Sequence, residues 1–239
     1  VRRLVGSEMC IRDRNNRRGA VVAVDINDGS IVTYVSSPSF SVNKIANGLT
    51  QNEFDELIND DDKPFFDRAA QGRYSPASTI KPAIGLFGID KDILDWEYTI
   101  QDPGFFILPE DGRIYRGWKK GGHGEINLKD AIIESSNTFF FSLAYQTEIE
   151  ELRAHLSNFG FGKNVCDDCF MPDNGLLPSP RWKMNTHNFG WFKGDTVNVG
   201  VGQGYINATP IQLAYYSAFL ATKGNINTVS YTHLTLPTT

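Results

Sequence analysis

The chain has 239 residues, 41% of them hydrophobic and 21% charged, enough to bury the core of one large or two small domains. A formal net charge of −5, with no basic run, argues against nucleic acid as a main partner. No apolar run approaches the roughly 18 residues of a membrane span, no export-signal order opens the chain, and the odd count of Cys10, Cys166 and Cys169 is no disulfide framework.

In chain order, residues 1–14 (VRRLVGSEMCIRDR) come first and share no apolar period with the residues after them. They and residues 229–239 (VSYTHLTLPTT) resemble translated sequencing-adapter read-through. Both are expected to be foreign tails on a body of 15–228, and are set aside. Gly19 to Ser36 reads as a hairpin, two β-branched runs around the turn Asn27-Asp28-Gly29-Ser30. Its first run is apolar almost throughout, which predicts a strand buried on both faces.

Residues 51–59 have helical spacing at Phe54, Leu57 and Ile58, and the acidic run Asp60-Asp61-Asp62 reads as a solvated turn. From Ser78 the sequence STIKPAIGLFGI is apolar and helical, with Pro82 tolerated in the first turn. Two turns, Asp102-Pro103-Gly104 and residues 109–112, frame a short apolar segment. Helices are predicted over 127–134, over 138–151 with a continuation to Phe159, and over 209–222, the last opened by Thr209-Pro210. Residues 172–190 read as loop. A hairpin alone is barely stable, so the strands completing its sheet are expected beyond residue 228.

Ser78 and Lys81 lie three apart at a helix start, one nucleophile and one candidate base on a single face. Such a pair is cheap, since chance supplies about one in a chain of this composition. Its bland reading is a helix cap beside a surface lysine. The adjoining apolar helix sharpens it, because a buried lysine gives up its charge and becomes a usable base. Ser135-Ser136-Asn137 lies between two helical stretches, and taken alone reads as an N-cap. Gly202-Gln203-Gly204 lacks the flanks of a phosphate loop and reads as a close backbone approach. Cys166-Asp167-Asp168-Cys169 has metal-ligand spacing without a second pair, so a local disulfide or two plain thiols is preferred over zinc. His155 and His187 read as structural.

Taken together, the segments GAVVAVDINDGSIVTYVSSPSF, DRAAQGRYSPASTIKP, QDPGFFILP, YRGWKKGGHGEINLKDAIIESSNTFFFSLAY and GDTVNVGVGQGYINATPIQLA resemble the transpeptidase domain of the penicillin-binding protein 2 family, class B penicillin-binding proteins of cell-wall elongation. The resemblance covers nearly all of 15–228. It implies an α/β (α+β type) transpeptidase fold like that of serine β-lactamases, an antiparallel sheet flanked by helices beside a helical lobe. It implies a peptidoglycan D,D-transpeptidase cross-linking D-Ala-D-Ala stem peptides through a serine acyl-enzyme, with Ser78 as nucleophile, Lys81 as base, Ser135 as proton relay and Asn137 holding the donor and Lys81. β-Lactam antibiotics would acylate Ser78. No cofactor and no nucleic acid are implied. A membrane glycan polymerase is the implied partner of the full-length protein, at the periplasmic face of the bacterial inner membrane.

Three departures matter. Ser75-Pro76-Ala77 stands where the family usually has Pro-Pro-Gly, and Asn137 where many members carry Asp. Some relatives hold zinc through Asp, Asp, His and Cys; the corresponding positions here are Asp102, Gly117, His123 and Ser136, so no metal site is expected. The Lys-Ser/Thr-Gly strand of the family does not occur in the 239 residues, so this fragment is expected to be inactive and its missing strands to lie past residue 228. Two other readings stay open: a serine D,D-carboxypeptidase or β-lactamase, passing the acyl group to water, and a non-catalytic penicillin-sensing domain.

Overall fold

A computed structural model describes residues 18–226 and 228–230. The tail 1–14 and residues 231–239 therefore lie outside the described residues. Within them the chain folds as two compact units.

One unit takes the residues up to Tyr74, Lys163–Asn174 and those from Ala208. Strands β1 (Gly19–Val24) and β2 (Ile31–Ser37) form the predicted antiparallel hairpin, with a register shift at Ala23/Val24. β1 is half-buried along its whole length rather than buried on both faces. It pairs only with β2 among the described residues, and the closing helix, Pro210–Ala221, covers it from one side. Helix α1 (Val42–Ala46) was not foreseen; α2 (Gln51–Asn59) was, and Thr50 and Glu53 close a capping box at its start. A small core joins Ile31, Ala70, Val165, Cys166, Ile211 and Val229. Cys166 and Cys169 form a local disulfide in it. Val229 and Ser230, the first residues of the expected C-terminal tail, bridge in parallel to Cys166 and Ser30.

The other unit, Ser75–Gly162 and Gly175–Asn207, carries every candidate catalytic residue. It opens with a 3₁₀ turn, Ala77–Ile80, running into α3 (Lys81–Asp90). Two antiparallel ribbons come next, β3 (Thr99–Asp102) with β6 (Gly124–Asn127) and β4 (Phe105–Ile107) with β5 (Ile114–Arg116). At three or four residues each they are too short for a period-2 signal. Helix α4 (Leu128–Ile133) is capped by Asn127, and α5 (Asn137–Tyr145) by Ser136. The helix expected from 138 to 151 breaks at Gln146–Glu148, where the Thr147 hydroxyl donates to Ala144 O at 2.8 Å. Helix α6 (Ile149–Asn158) then resumes.

The expected loop over 172–190 is corrected by α7 (Pro180–His187), capped by Ser179 with Pro180 at its first position, and α8 (Lys193–Val199) comes after it. The last helix, α9 (Pro210–Ala221), has Thr209 as cap and Gln212 completing a capping box, and returns to β1 in the first unit. Helix α5 is the centre of the second unit. Phe139, Phe140, Phe141, Leu143 and Ala144 are all buried, so one helix touches neighbours on nearly every side. Truncating one of those rings to alanine removes about 3–5 kcal/mol. That rigid helix carries Asn137 at its first turn, which is how the core positions the site.

Candidate active site

Ser78 and Lys81 are tied by the backbone. Lys81 N donates to Ser78 O, closing the 3₁₀ turn, and in such a turn side chains three apart lie one above the other. Ser78 is exposed, whereas Lys81 is 1% exposed. Ser78 is thus open to solvent, while the Lys81 side chain is buried three residues on.

The turn is held from behind by a close approach. Ala77 N donates to Gly202 O at 2.8 Å, and the Ser75 hydroxyl donates to the same carbonyl. Gly202 has φ +67°, and a Cβ there would collide with the Ala77 backbone. The Gly202-Gln203-Gly204 segment is thus the backbone approach read from sequence. Ala77 itself has φ +49°, a left-handed conformation that disfavours a side chain.

Lys81 Nζ makes three hydrogen bonds: to Ser135 O at 2.8 Å, Ser135 Oγ at 3.1 Å and Asn137 Oδ1 at 2.8 Å. All three ammonium protons are thereby placed. The Phe140 ring centroid lies 5.4 Å away. No carboxylate pairs with Lys81 among the described residues, and burial pushes its pKa down to about 8. An amine so placed exchanges a proton near neutral pH. The sequence-predicted quartet is therefore three parts joined in space, with Ser78 one helical step from the joint.

Ser135 lies just past α4 with φ +53°, left-handed like Ala77. Ser136 serves as the cap that its sequence neighbours suggested, accepting from Phe139 N at 3.2 Å. The cap reading and the site reading of Ser135-Ser136-Asn137 both hold, for different residues of the three.

A second cluster lies behind this loop. Asp102, 2% exposed at the end of β3, accepts from the Ser136 hydroxyl at 2.7 Å and from Gly104 N at 2.7 Å, and its Oδ2 lies 2.6 Å from His123 Nδ1. Burial works against ionisation, but hydrogen bonds from His123, Ser136 and Gly104 hold the Asp102 carboxyl below the ordinary carboxylate range. Three of the four positions at which some relatives hold zinc thus meet here, joined by hydrogen bonds. Both oxygens of Asp102 are already engaged, Ser136 offers a hydroxyl where a thiolate would be needed, and Gly117 offers no side chain. The donor set does not fit zinc. In the sequence Asp102 and His123 read only as ligand positions and Ser136 also as a cap; their hydrogen-bonded role had no signal in the chain.

His155 is half-buried against Phe87 and Phe159, its Nε2 3.0 Å from Ala83 O, a structural placement. His187 stacks with Trp182 and Tyr205.

Residues 19–235 match the family model of the penicillin binding protein transpeptidase domain. The chain is 44% identical over 209 residues to peptidoglycan D,D-transpeptidase MrdA of Acinetobacter baumannii, covering 87% of this chain and 31% of that one. It is 38% identical over 211 residues to the Haemophilus influenzae protein of the same name, covering 88% of this chain and 32% of that one. It therefore spans about a third of the length of these curated relatives. Among solved structures it resembles Pseudomonas aeruginosa PBP2 in complex with WCK 5153, with TM-score 0.86 and 40% identity over 90% of this chain and 47% of the other. Helicobacter pylori PBP2, in its complex with MreC, gives TM-score 0.86 and 31% identity over 93% of this chain and 41% of that one.

Proposed function

The chain belongs to the penicillin binding protein transpeptidase family, and on that footing we propose that it supplies the acylating residues of a peptidoglycan D,D-transpeptidase of cell-wall elongation. The observation that carries the reading is a buried lysine with no carboxylate partner, bonded to Ser135 and Asn137 and one helical step from an exposed serine.

Neutral Lys81 Nζ accepts the Ser78 proton as Ser78 Oγ attacks the penultimate D-Ala carbonyl carbon of a stem peptide. The C–O bond forms, and the carbonyl pair moves onto its oxygen. As that intermediate collapses, the C–N bond to the terminal D-Ala breaks. Its nitrogen takes the proton that Lys81 holds, passed through Ser135 Oγ, which already lies 3.1 Å from Nζ. The amine of a neighbouring stem peptide then attacks the ester, and its proton returns by the same route to Ser78. A β-lactam takes the donor's place at the first step, but its opened ring stays attached, leaving an ester on Ser78. Asn137 Oδ1 keeps one Lys81 proton engaged throughout, so the free lone pair stays on the Ser78–Ser135 side.

The polar partners come from this chemistry: D-Ala-D-Ala donors, amine acceptors and β-lactams. A membrane glycan polymerase at the periplasmic face of the inner membrane would supply the strands. The Helicobacter pylori relative is known in complex with MreC.

The chain spans about a third of the length of its curated relatives, so the test uses the full-length protein. Fluorescent penicillin should label it stoichiometrically, with the adduct on the Ser78 peptide and none in Ser78→Ala. Labelled Ser78→Ala removes the reading. Incubation with a donor stem peptide should give cross-linked product that grows with acceptor amine. Release of D-Ala to water alone would make the protein a carboxypeptidase.

A further inference from the structure

Ser135 is held in a left-handed backbone conformation (φ +53°) between two short helices. A serine persists there only where its surroundings over-determine it. One cluster grips the chain on both sides of it. On the C-terminal side, the Ser136 hydroxyl donates to Asp102 Oδ2 at 2.7 Å. On the N-terminal side, Trp118 Nε1 donates to Glu134 O at 3.0 Å. The two grips are joined, because His123 meets Asp102 through Nδ1 at 2.6 Å and its ring lies edge-on to Trp118 at 5.6 Å between centroids.

The cluster is itself fixed to β3. His123 N donates to Asp102 O at 3.1 Å, an approach possible only because Gly122, φ +75°, has no Cβ to collide with that carbonyl. Ser135 O and Oγ, the two atoms that bond Lys81, are therefore fixed by residues that touch neither Lys81 nor Ser78. Trp118 is 64% exposed, so packing does not explain its indole hydrogen bond.

We propose that Asp102, His123 and Trp118 form a clamp of positioning residues that holds Ser135 against Lys81 for proton transfer. This goes beyond the acyl-enzyme reading and rests on it. The clamp acts on the proton path rather than on ligand binding, so its loss slows bond-making at Ser78 and leaves initial binding alone. A shift of about 1 Å in a reacting group can cost 10²-fold in rate.

The experiment measures acylation of the full-length protein by a chromogenic cephalosporin, separating the pre-acylation dissociation constant from the acylation rate constant. Asp102→Asn removes the charged acceptor, and Trp118→Phe removes only the indole N–H. Each should lower the rate constant at least tenfold with the dissociation constant within threefold of the parent. The double variant should lose less than the product of the two, because both grips hold one loop. Trp118 is exposed, so its variant reports on the clamp even where Asp102→Asn fails to fold. An acylation rate constant for Trp118→Phe within threefold of the parent overturns the clamp, as does an equal change in both constants. A parent protein that is not acylated at Ser78 at all would instead overturn the functional reading, and the clamp with it.

Discussion

If Lys81 is the acylation base, labelling of Ser78 in the full-length protein should rise about tenfold per pH unit up to pH about 8 and then level off. The magnitude comes from burial. A fall from 10.5 to about 8 raises the neutral fraction at pH 7 about 300-fold, to roughly one molecule in ten. The same shift acts on stability. Below pH 8 the folded and unfolded chains both carry the ammonium, and the folded one holds it dehydrated at a cost of about 3 kcal/mol. Between about 8 and 10.5 the folded state has lost the proton and the unfolded state keeps it. The unfolded chain then binds more protons, so stability rises with pH through that window and the cost is gone above it. Lys81→Met removes the group while nearly keeping its volume. Urea unfolding of both proteins should give a difference, parent minus variant, that climbs by about 3 kcal/mol from pH 7 to pH 11. A difference flat across that range, or a labelling midpoint near the ordinary lysine value, would refute the reasoning. Labelling of Lys81→Met at the parental rate would remove Lys81 from the chemistry.

Asn137→Asp places a carboxylate where Oδ1 now lies 2.8 Å from Lys81 Nζ. It should raise the labelling midpoint by at least one pH unit and slow labelling at pH 7 about tenfold; a pH–rate profile decides, and an unmoved midpoint counts against the ion-pair argument. Ala77→Gly relieves a left-handed alanine, φ +49°, and should stabilise the protein by about 0.5–1 kcal/mol in urea titration. Gly202→Ala, whose Cβ would collide with the Ala77 backbone, should do the reverse by at least about 2 kcal/mol and displace Ser78, seen as slower labelling. Reduction of the Cys166–Cys169 disulfide opens a four-residue loop and should lower stability by about 2 kcal/mol, read from the urea midpoint with and without reductant.

What the chain declares about itself depends on the range of each signal. Ser78 and Lys81 were legible because a spacing of three on a helix start is local, and so was the N-cap in Ser135-Ser136-Asn137. Their meeting at Lys81 was not legible from spacing, since fifty-odd residues separate the segments and only the topology of α3 against α5 joins them; the family resemblance supplied that step. Helix α7 carried its own start signal, Ser179-Pro180, but the prolines and glycines around it outweighed the cap. The break at Thr147 depends on one hydroxyl choosing a backbone carbonyl, which no periodicity reports. Trp118 and Asp102 had no signal as Ser135's neighbours, because both bonds form across the fold.

Among the left-handed non-glycine residues, Ala77 and Ser135 sit at corresponding places near Lys81, and that placement has a physical logic. Ala77 directly precedes the nucleophile, and Ser135 is the residue that faces Lys81. Each turns the chain sharply at a helix end, Ala77 just before Ser78 and Ser135 where its hydroxyl and carbonyl meet Lys81. A relaxed helix would carry Ser78 and Ser135 along its own surface instead. Each is clamped by partners outside its own element, Ala77 through Gly202 and Ser135 through Asp102 and Trp118. The strain and the clamps therefore belong together: relieving Ala77 with glycine should stabilise the fold, while loosening the grip on Ser135 should leave binding intact and slow the chemistry. Opposite signs from those two changes would separate strain kept for direction from strain that merely persists.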